Sequence, residues 1–207
     1  MPEATMPSFL MAALAWGLWC AWHSLAIDSA LARFCRRLLG PHAHAYRLLY
    51  NLTSLLTATT LFFWQQHLPA RTVLILPGWS VFVRVPLSLL SLYLFVAGCQ
   101  AHDCRAVLGI TQLKARTANA VRASSADILI TSGILGRVRH PWYTAGILLL
   151  WTPGSYTDVT LAVHLVLTAY FIIGSILEER RLLARFGDAY REYQQRVPML
   201  IPRLRRK

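Results

Sequence analysis

The chain is short of acid. Nine Asp and Glu residues stand against 21 Lys and Arg over 207 residues, a formal net charge of +12, yet charged residues of both signs make up only 14%. Soluble domains typically carry about 25%, so this sparse charge argues against a fully water-facing surface. An excess of base suits nucleic-acid binders, but those carry basic stripes on a soluble scaffold. Here the basic residues flank apolar blocks, as chain ends do where they meet anionic lipid, and no nucleic-acid partner is expected. Cysteine is also scarce. Cys20 falls inside an apolar block, and Cys35, Cys99 and Cys104 fall at or near ends expected to face the cytoplasm, which argues against a disulfide framework. The run Cys99-Gln-Ala-His102-Asp103-Cys104 has no second ligand pair, so it reads as a polar helix end and no metal is expected. Met1 to Ser8 contains no Lys or Arg, so the apolar block that follows reads as a retained span, since a signal peptide needs a positive leader. There is no internal repeat and no low-complexity segment.

What the chain has in abundance is apolar residues, 56% of the total, gathered in blocks. A bilayer needs about 20 of them in a helix. Blocks of suitable length run from about 9 to 27, 48 to 64, 81 to 99 and 159 to 177. A shorter block from Pro141 to Thr152, opened by Pro at a position helices tolerate and closed by Pro153-Gly154, makes the first arm of a helical hairpin. Residues 100–140 are polar, Glu178 to Gln195 reads as a polar amphipathic helix, and the tail from Val197 is basic. Nineteen of the 21 Lys and Arg residues lie in the first connection, the 100–140 stretch or the C-terminal segment. The positive-inside rule then places the N-terminus outside and the C-terminus in the cytoplasm, with five spans. The expected fold is an all-α polytopic membrane helix bundle with a C-terminal helical hairpin and a cytoplasmic amphipathic helix. Its partner is the lipid bilayer, the bacterial inner membrane in the expected setting.

The densest polar cluster comes in two pieces joined by the hairpin. The first is Gly133-Ile-Leu-Gly136-Arg137-Val138-Arg139-His140-Pro141-Trp142-Tyr143. The second runs through Glu178-Glu179-Arg180-Arg181-Leu182, then Phe186-Gly187-Asp188-Ala-Tyr190-Arg-Glu-Tyr193, to Val197-Pro198. Arg139-His140-Pro141-x-Tyr143 with Glu178-Glu179-x-x-Leu182 and Phe186-Gly187-x-x-Tyr190-x-x-Tyr193-x-x-x-Val197-Pro198 resembles the signature of the isoprenylcysteine carboxyl methyltransferase superfamily, over roughly residues 105–202. Trp22-His23-Ser24, Tyr46-Arg47-x-x-Tyr50-Asn51 and Leu108-Gly109-x-x-Gln112 resemble a bacterial branch that includes methanethiol S-methyltransferases and a membrane family associated with nitric-oxide reduction. In the isoprenylcysteine enzymes an Arg stands four residues before the Glu pair, whereas this chain has Gly174 there, which counts against carboxyl methylation.

The resemblance implies one membrane domain, with residues 1–99 supplying three spans and 100–207 a core that binds S-adenosylmethionine. Gln112, Val138, Arg139, His140, Tyr143, Glu178 and Glu179 are the implied cofactor-binding residues. The chemistry is consistent. The cofactor's α-carboxylate wants a forked cation or a helix N-terminus, offered by Arg139 and His140 where the helix at Pro141 begins. Its ammonium wants a carboxylate, Glu178 or Glu179, and Tyr143 can stack on adenine or hydrogen-bond the amino-acid part. Arg137 reads as a positive-inside anchor, and Tyr190 and Tyr193 as packing or interfacial residues. His23, about one turn deep in the first span, is the candidate catalytic residue, facing the acceptor and accepting its proton; the plainer reading is an interfacial histidine bonded beside Ser24. The expected activity is methyl transfer to a small or lipophilic thiol. Carboxyl methylation of isoprenylcysteine, methylation of a lipid amine, and a non-catalytic accessory or transport role are the alternatives. A transporter would place polar residues along several spans at midplane depth, whereas here they gather at one face.

Overall fold

A computed structural model of the chain describes residues 6–27, 30–115 and 128–202. Part of the polar 100–140 stretch and the end of the basic tail lie outside the described residues. Among the described residues the fold is all-α apart from one short two-stranded ladder. In chain order the helices are α1 (Ser8–Ile27), α2 (Ala30–Leu39), α3 (Tyr46–Gln66), α4 (Val81–Ala101), α5 (Cys104–Leu108), α6 (Ile110–Ala115), α7 (Pro141–Leu150), α8 (Asp158–Phe186) and α9 (Asp188–Arg196). Strands β1 (Thr72–Ile75) and β2 (Ser155–Thr157) pair antiparallel.

Among the described residues, three helices are long and apolar enough to cross a membrane: Ser8–Ile27, Gly78–Ala101, which includes a short 3₁₀ lead-in to α4, and Asp158–Phe186. The other two expected spans differ from these. Helix α3 is 21 residues long but rich in Ser, Thr, Asn and Gln, and α7 is apolar but only 10 residues long. The Thr53, Thr57 and Thr60 hydroxyls of α3 donate back to carbonyls one turn earlier at 2.8–2.9 Å, which removes their demand for water. Exposed Leu18, Leu55, Leu56, Phe82 and Leu92 suit helices whose outer surface meets lipid rather than water. The chain is an integral membrane protein.

The amphipathic helix expected over 178–195 is corrected. Helix α8 carries on past the apolar residues to Phe186, and the break comes at Gly187, whose φ of +56° favours glycine. Helix α9 follows as a separate element.

The chain divides into two compact units, each drawn from several stretches of sequence. In the first, α1 and α3 run antiparallel and are joined by polar side chains. Trp16 Nε1 donates to Gln65 Oε1 at 2.8 Å, Trp19 Nε1 to Thr57 Oγ1 at 2.9 Å, and Tyr46 Oη to the Ala26 carbonyl at 2.6 Å. Between apolar helices with no water to expel, such bonds supply directional glue. Arg47 Nε and Asn51 Nδ2 both donate to the Val107 carbonyl, at 3.0 and 2.9 Å, fastening α5 to α3.

In the second unit α4 packs against α7. Trp142 Nε1 donates to the Phe95 carbonyl at 3.1 Å and Ser91 Oγ to that of Ala145 at 2.8 Å. The core there is Leu94, Ile134, Leu135, Val138 and Ala145. A second cluster, Tyr190, Tyr193 and Val197, gathers Leu182, Leu183 and Phe186 around it, so α9 folds back on the polar extension of α8.

Replacing Gln65, which is buried, by Leu removes the Trp16 bond and strands the indole N–H. The expected loss is about 0.6 kcal/mol, the average for such bonds between membrane helices, with about 1.7 as the upper bound. A detergent-denaturation titration of the wild type and Gln65→Leu reads it.

Candidate functional site

The site grows from the start of α7. Pro141 occupies the first helical position with His140 as its N-cap, so the turn before it is free to bond elsewhere. It does so with the C-terminal segment: Arg139 N–H donates to the Pro198 carbonyl at 3.0 Å, His140 N–H to Met199 at 3.1 Å and Thr144 Oγ1 to Leu200 at 2.7 Å. The two pieces of the sequence cluster are thereby stitched together through the backbone.

At the centre lies Glu179, with its side chain 9% exposed. Arg139 grips it with both prongs, Nε to Oε1 at 2.9 Å and Nη2 to Oε2 at 2.8 Å. His140 Nε2 stands 2.6 Å from Oε1, Tyr190 Oη donates to Oε1 at 2.6 Å and Gln194 Nε2 to Oε2 at 2.5 Å. A carboxylate offers about four lone-pair sites, so Glu179 has no acceptor capacity left over. The remaining nitrogen of Arg139, Nη1, donates to the Gln194 carbonyl at 3.1 Å and to the Val197 carbonyl. Because an ionised carboxylate only accepts, His140 must carry a proton on Nε2. Burial, reinforced by Glu179, raises the Tyr190 phenol well above its usual range, and burial pushes Tyr193 up to about 12. Both hydroxyls therefore stay protonated as donors, Tyr193 giving its bond to the Leu135 carbonyl at 2.5 Å.

Glu178 is different. One residue along the helix, it points about 100° away and its side chain is 44% exposed. His140 Nδ1 lies 3.8 Å from Glu178 Oε2, and the Tyr143 phenol is close enough to feel the Glu178 carboxylate. Arg181 is within electrostatic reach of Tyr143. His102, its ring 4.9 Å from that of Trp142, senses the charge of Glu178, and desolvation lowers its pKa against that pull. Gly174 faces the same tyrosine: a Cβ there would come within 3.2 Å of Tyr143 Cε1, so a long basic side chain at 174 would require the phenol ring to move. A cavity of about 210 Å³ on the Glu179 side, lined in part by Ile176, Leu183 and Met199, is smaller than the ~300 Å³ at which ligand sites begin.

Of the residues singled out from sequence, the structure brings Arg139, His140, Tyr143, Glu178 and Glu179 together. Val138 is adjacent, but its side chain is fully buried in the core, leaving only its backbone for a ligand. Gln112 and His23 belong to the first unit. The Gln112 Oε1 atom is buried with no hydrogen-bond partner among the described residues. The His23 ring stacks on Trp19 at 4.8 Å, with Tyr50 Oη 2.8 Å from Nε2 and Ser54 Oγ 3.1 Å from Nδ1. Sequence reasoning missed Tyr190 and Gln194 as partners of Glu179, and His102 as a neighbour of Glu178. The fixed spacing from Glu179 to Tyr190 carried a signal for the first of these.

Substituting Glu179 by Gln leaves the Arg139 guanidinium buried without its counter-charge, at an expected cost of about 3–5 kcal/mol. Tyr190→Phe, which deletes one bond to a charged acceptor, should cost about 1.5–3 kcal/mol. Thermal unfolding in detergent ranks them: Glu179→Gln least stable, Tyr190→Phe intermediate.

Methanethiol S-methyltransferase 1 of Bradyrhizobium diazoefficiens is 48% identical over 65 residues, 31% of this chain and 23% of that protein. The methanethiol S-methyltransferase of Pseudomonas deceptionensis is 44% identical over 69 residues, 33% of this chain and 26% of that protein. The protein-S-isoprenylcysteine O-methyltransferase of Schizosaccharomyces pombe is 36% identical over 80 residues, 36% of this chain and 33% of that protein. The chain thus spans about a quarter to a third of the length of these curated relatives. No protein-family model matches the chain and no solved structure matches it significantly. Over about a third of its length the chain shares its sequence with named methyltransferases of two acceptor types, a relationship consistent with the isoprenylcysteine carboxyl methyltransferase superfamily.

Proposed function

We propose that the chain is a membrane methyltransferase that takes S-adenosylmethionine from the cytoplasmic side and methylates a small or lipophilic thiol reaching it through the bilayer. The observation that carries this reading is the division of labour between two adjacent carboxylates. Glu179 is saturated by protein donors, while Glu178 stands beside Tyr143 and 3.8 Å from His140 and stays open. A half-exposed carboxylate beside a phenol fits the α-ammonium and the amino-acid part of the cofactor. The first turn of α7, whose N–H groups lack intrahelical partners, and Arg181 fit its carboxylate. Arg139, its fork already committed, positions the site rather than binding in it.

The cofactor supplies an electrophilic methyl group on a sulfonium centre. The protein's task is to orient, to exclude water and to let the thiol lose its proton. Well-oriented reactants gain up to about 7–11 kcal/mol over free encounter. Apolar walls also strip water from the attacking thiolate. A thiol acceptor is favoured over a carboxylate because the more similar relatives named above are methanethiol S-methyltransferases. The close approach of Gly174 to Tyr143, where a side chain would require the phenol ring to shift, points the same way.

Three measurements test this. Label from methyl-labelled S-adenosylmethionine should appear as volatile product when purified protein is given methanethiol; absence of transfer to any thiol rejects the acceptor. Glu178→Gln should weaken cofactor binding about tenfold, equivalent to about 1.4 kcal/mol, with no loss of thermal stability. Calorimetric titration reads the first, and unchanged affinity would remove Glu178 from the site. His23→Ala should lower turnover by about 10²-fold or more, the range for a lost general base, at unaltered cofactor affinity. Full turnover would leave His23 as a tether between α1 and α3.

A further inference from the structure

The first unit holds a larger cavity of about 350 Å³, whose walls include Tyr50 and Ser54, the side chains bonded to His23. Its floor comes from α2, whose Leu31, Cys35, Leu38 and Leu39 all line it. These four recur at i, i+4, i+7 and i+8, the apolar stripe of an amphipathic helix. Trp22 of α1 and Tyr46 of α3 stand among the other walls. The rest of α2 is basic: Arg33, Arg36 and Arg37 are exposed, and among the described residues no ion pair engages them. The Arg36 guanidinium lies 5.1 Å from the centre of the Tyr46 ring, which puts a cation at the rim of an apolar hole.

A short amphipathic helix with a basic outer face, following directly on a membrane span, lies in the interface between headgroups and acyl chains. Basic clusters in that position attract anionic headgroups. We propose that the cavity beneath α2 holds one acyl chain of an anionic phospholipid whose phosphate rests on Arg36, flanked by Arg33 and Arg37. The two halves of the site match the two halves of the ligand. The apolar stripe gives a chain somewhere to lie, and the exposed guanidiniums give the phosphate forked donors. The cavity size, at the lower end of the ~300–1,000 Å³ of ligand sites, suits one chain rather than two. This inference needs the chain to sit in a membrane, and because Tyr50 and Ser54 join the cavity to His23, the test below separates a lipid chain from a thiol acceptor in it.

Cys35 is a built-in probe, because it lines the cavity and is partly exposed. Full-length protein is reconstituted in vesicles of phosphatidylcholine alone or of phosphatidylcholine doped with phosphatidylglycerol. N-ethylmaleimide labelling at Cys35 and Cys104 is then followed by peptide mass spectrometry, with Cys104 reporting the general effect of an anionic surface. Phosphatidylglycerol is expected to slow Cys35 relative to Cys104 by about fivefold or more. Arg36→Gln should remove about fivefold of that protection, the equivalent of about 1 kcal/mol per basic residue at an anionic surface. Arg36→Lys, which keeps the charge and guards against misreading a folding defect, should retain most of it. Leu39→Trp enlarges a half-buried side chain of the cavity wall and should abolish phosphatidylglycerol retention in native mass spectrometry. Equal slowing at both cysteines, protection that survives the triple Arg33→Gln, Arg36→Gln, Arg37→Gln variant, or retention by Leu39→Trp each overturns the proposal. So does protection of Cys35 by an alkane thiol in place of phosphatidylglycerol, which would give the cavity to the methyl acceptor.

Discussion

The ion pair between Arg139 and Glu179 is the constraint on which the second unit depends. It ties the turn before α7 to the polar extension of α8, and through Gln194 and Val197 it reaches α9 and the segment beyond. A buried pair of this kind costs desolvation and yields a net gain only when every remaining donor and acceptor is satisfied. Here each is: both oxygens of Glu179 and all three nitrogens of Arg139 have partners within the protein. The pair acts as a clamp on geometry, since removing either member leaves an uncompensated charge at the junction of four segments.

The clamp explains why the neighbouring residues can afford to be open. A binding group must keep its shape while unliganded, and that requires support from residues that are not themselves free to move. Glu178 follows from this. Its helix is fixed at the next residue, its phenol neighbour Tyr143 comes from the first turn of α7, and His140, bonded to Glu179, stands 3.8 Å from Glu178. Two identical side chains next to each other in sequence are given opposite tasks by the 100° step of the helix.

Much of this was legible in the sequence, and the limits are instructive. The apolar blocks placed α1, α3, α4 and α7 to within a few residues, because burial and lipid exposure both select for hydrophobicity. The end of α8 was misplaced by nine residues, from 177 to 186. Loss of hydrophobicity marks where a span leaves the bilayer, whereas a helix ends only at a backbone signal, here Gly187. The motif residues Arg139, His140, Tyr143, Glu178 and Glu179 were read together and stand together. Which of them face a ligand was not readable, because a pairing between positions 139 and 179 depends on how the hairpin closes. Tyr190 looked like packing because its burial, rather than its hydroxyl, is what helical spacing reports.

The stitch between residues 139–144 and 198–200 bears on how the molecule is made. Chains emerge N-terminus first and fold as segments become available. The turn at Arg139 and the start of α7 are synthesised well before their partners, Glu179, Tyr190, Gln194 and the carbonyls of Val197 to Leu200. Until then the Arg139 guanidinium has neither its counter-charge nor its carbonyl acceptors. The second unit is thus completed by nearly the last residues described, and a chain that has not yet reached Glu179 carries Arg139 with its clamp still open.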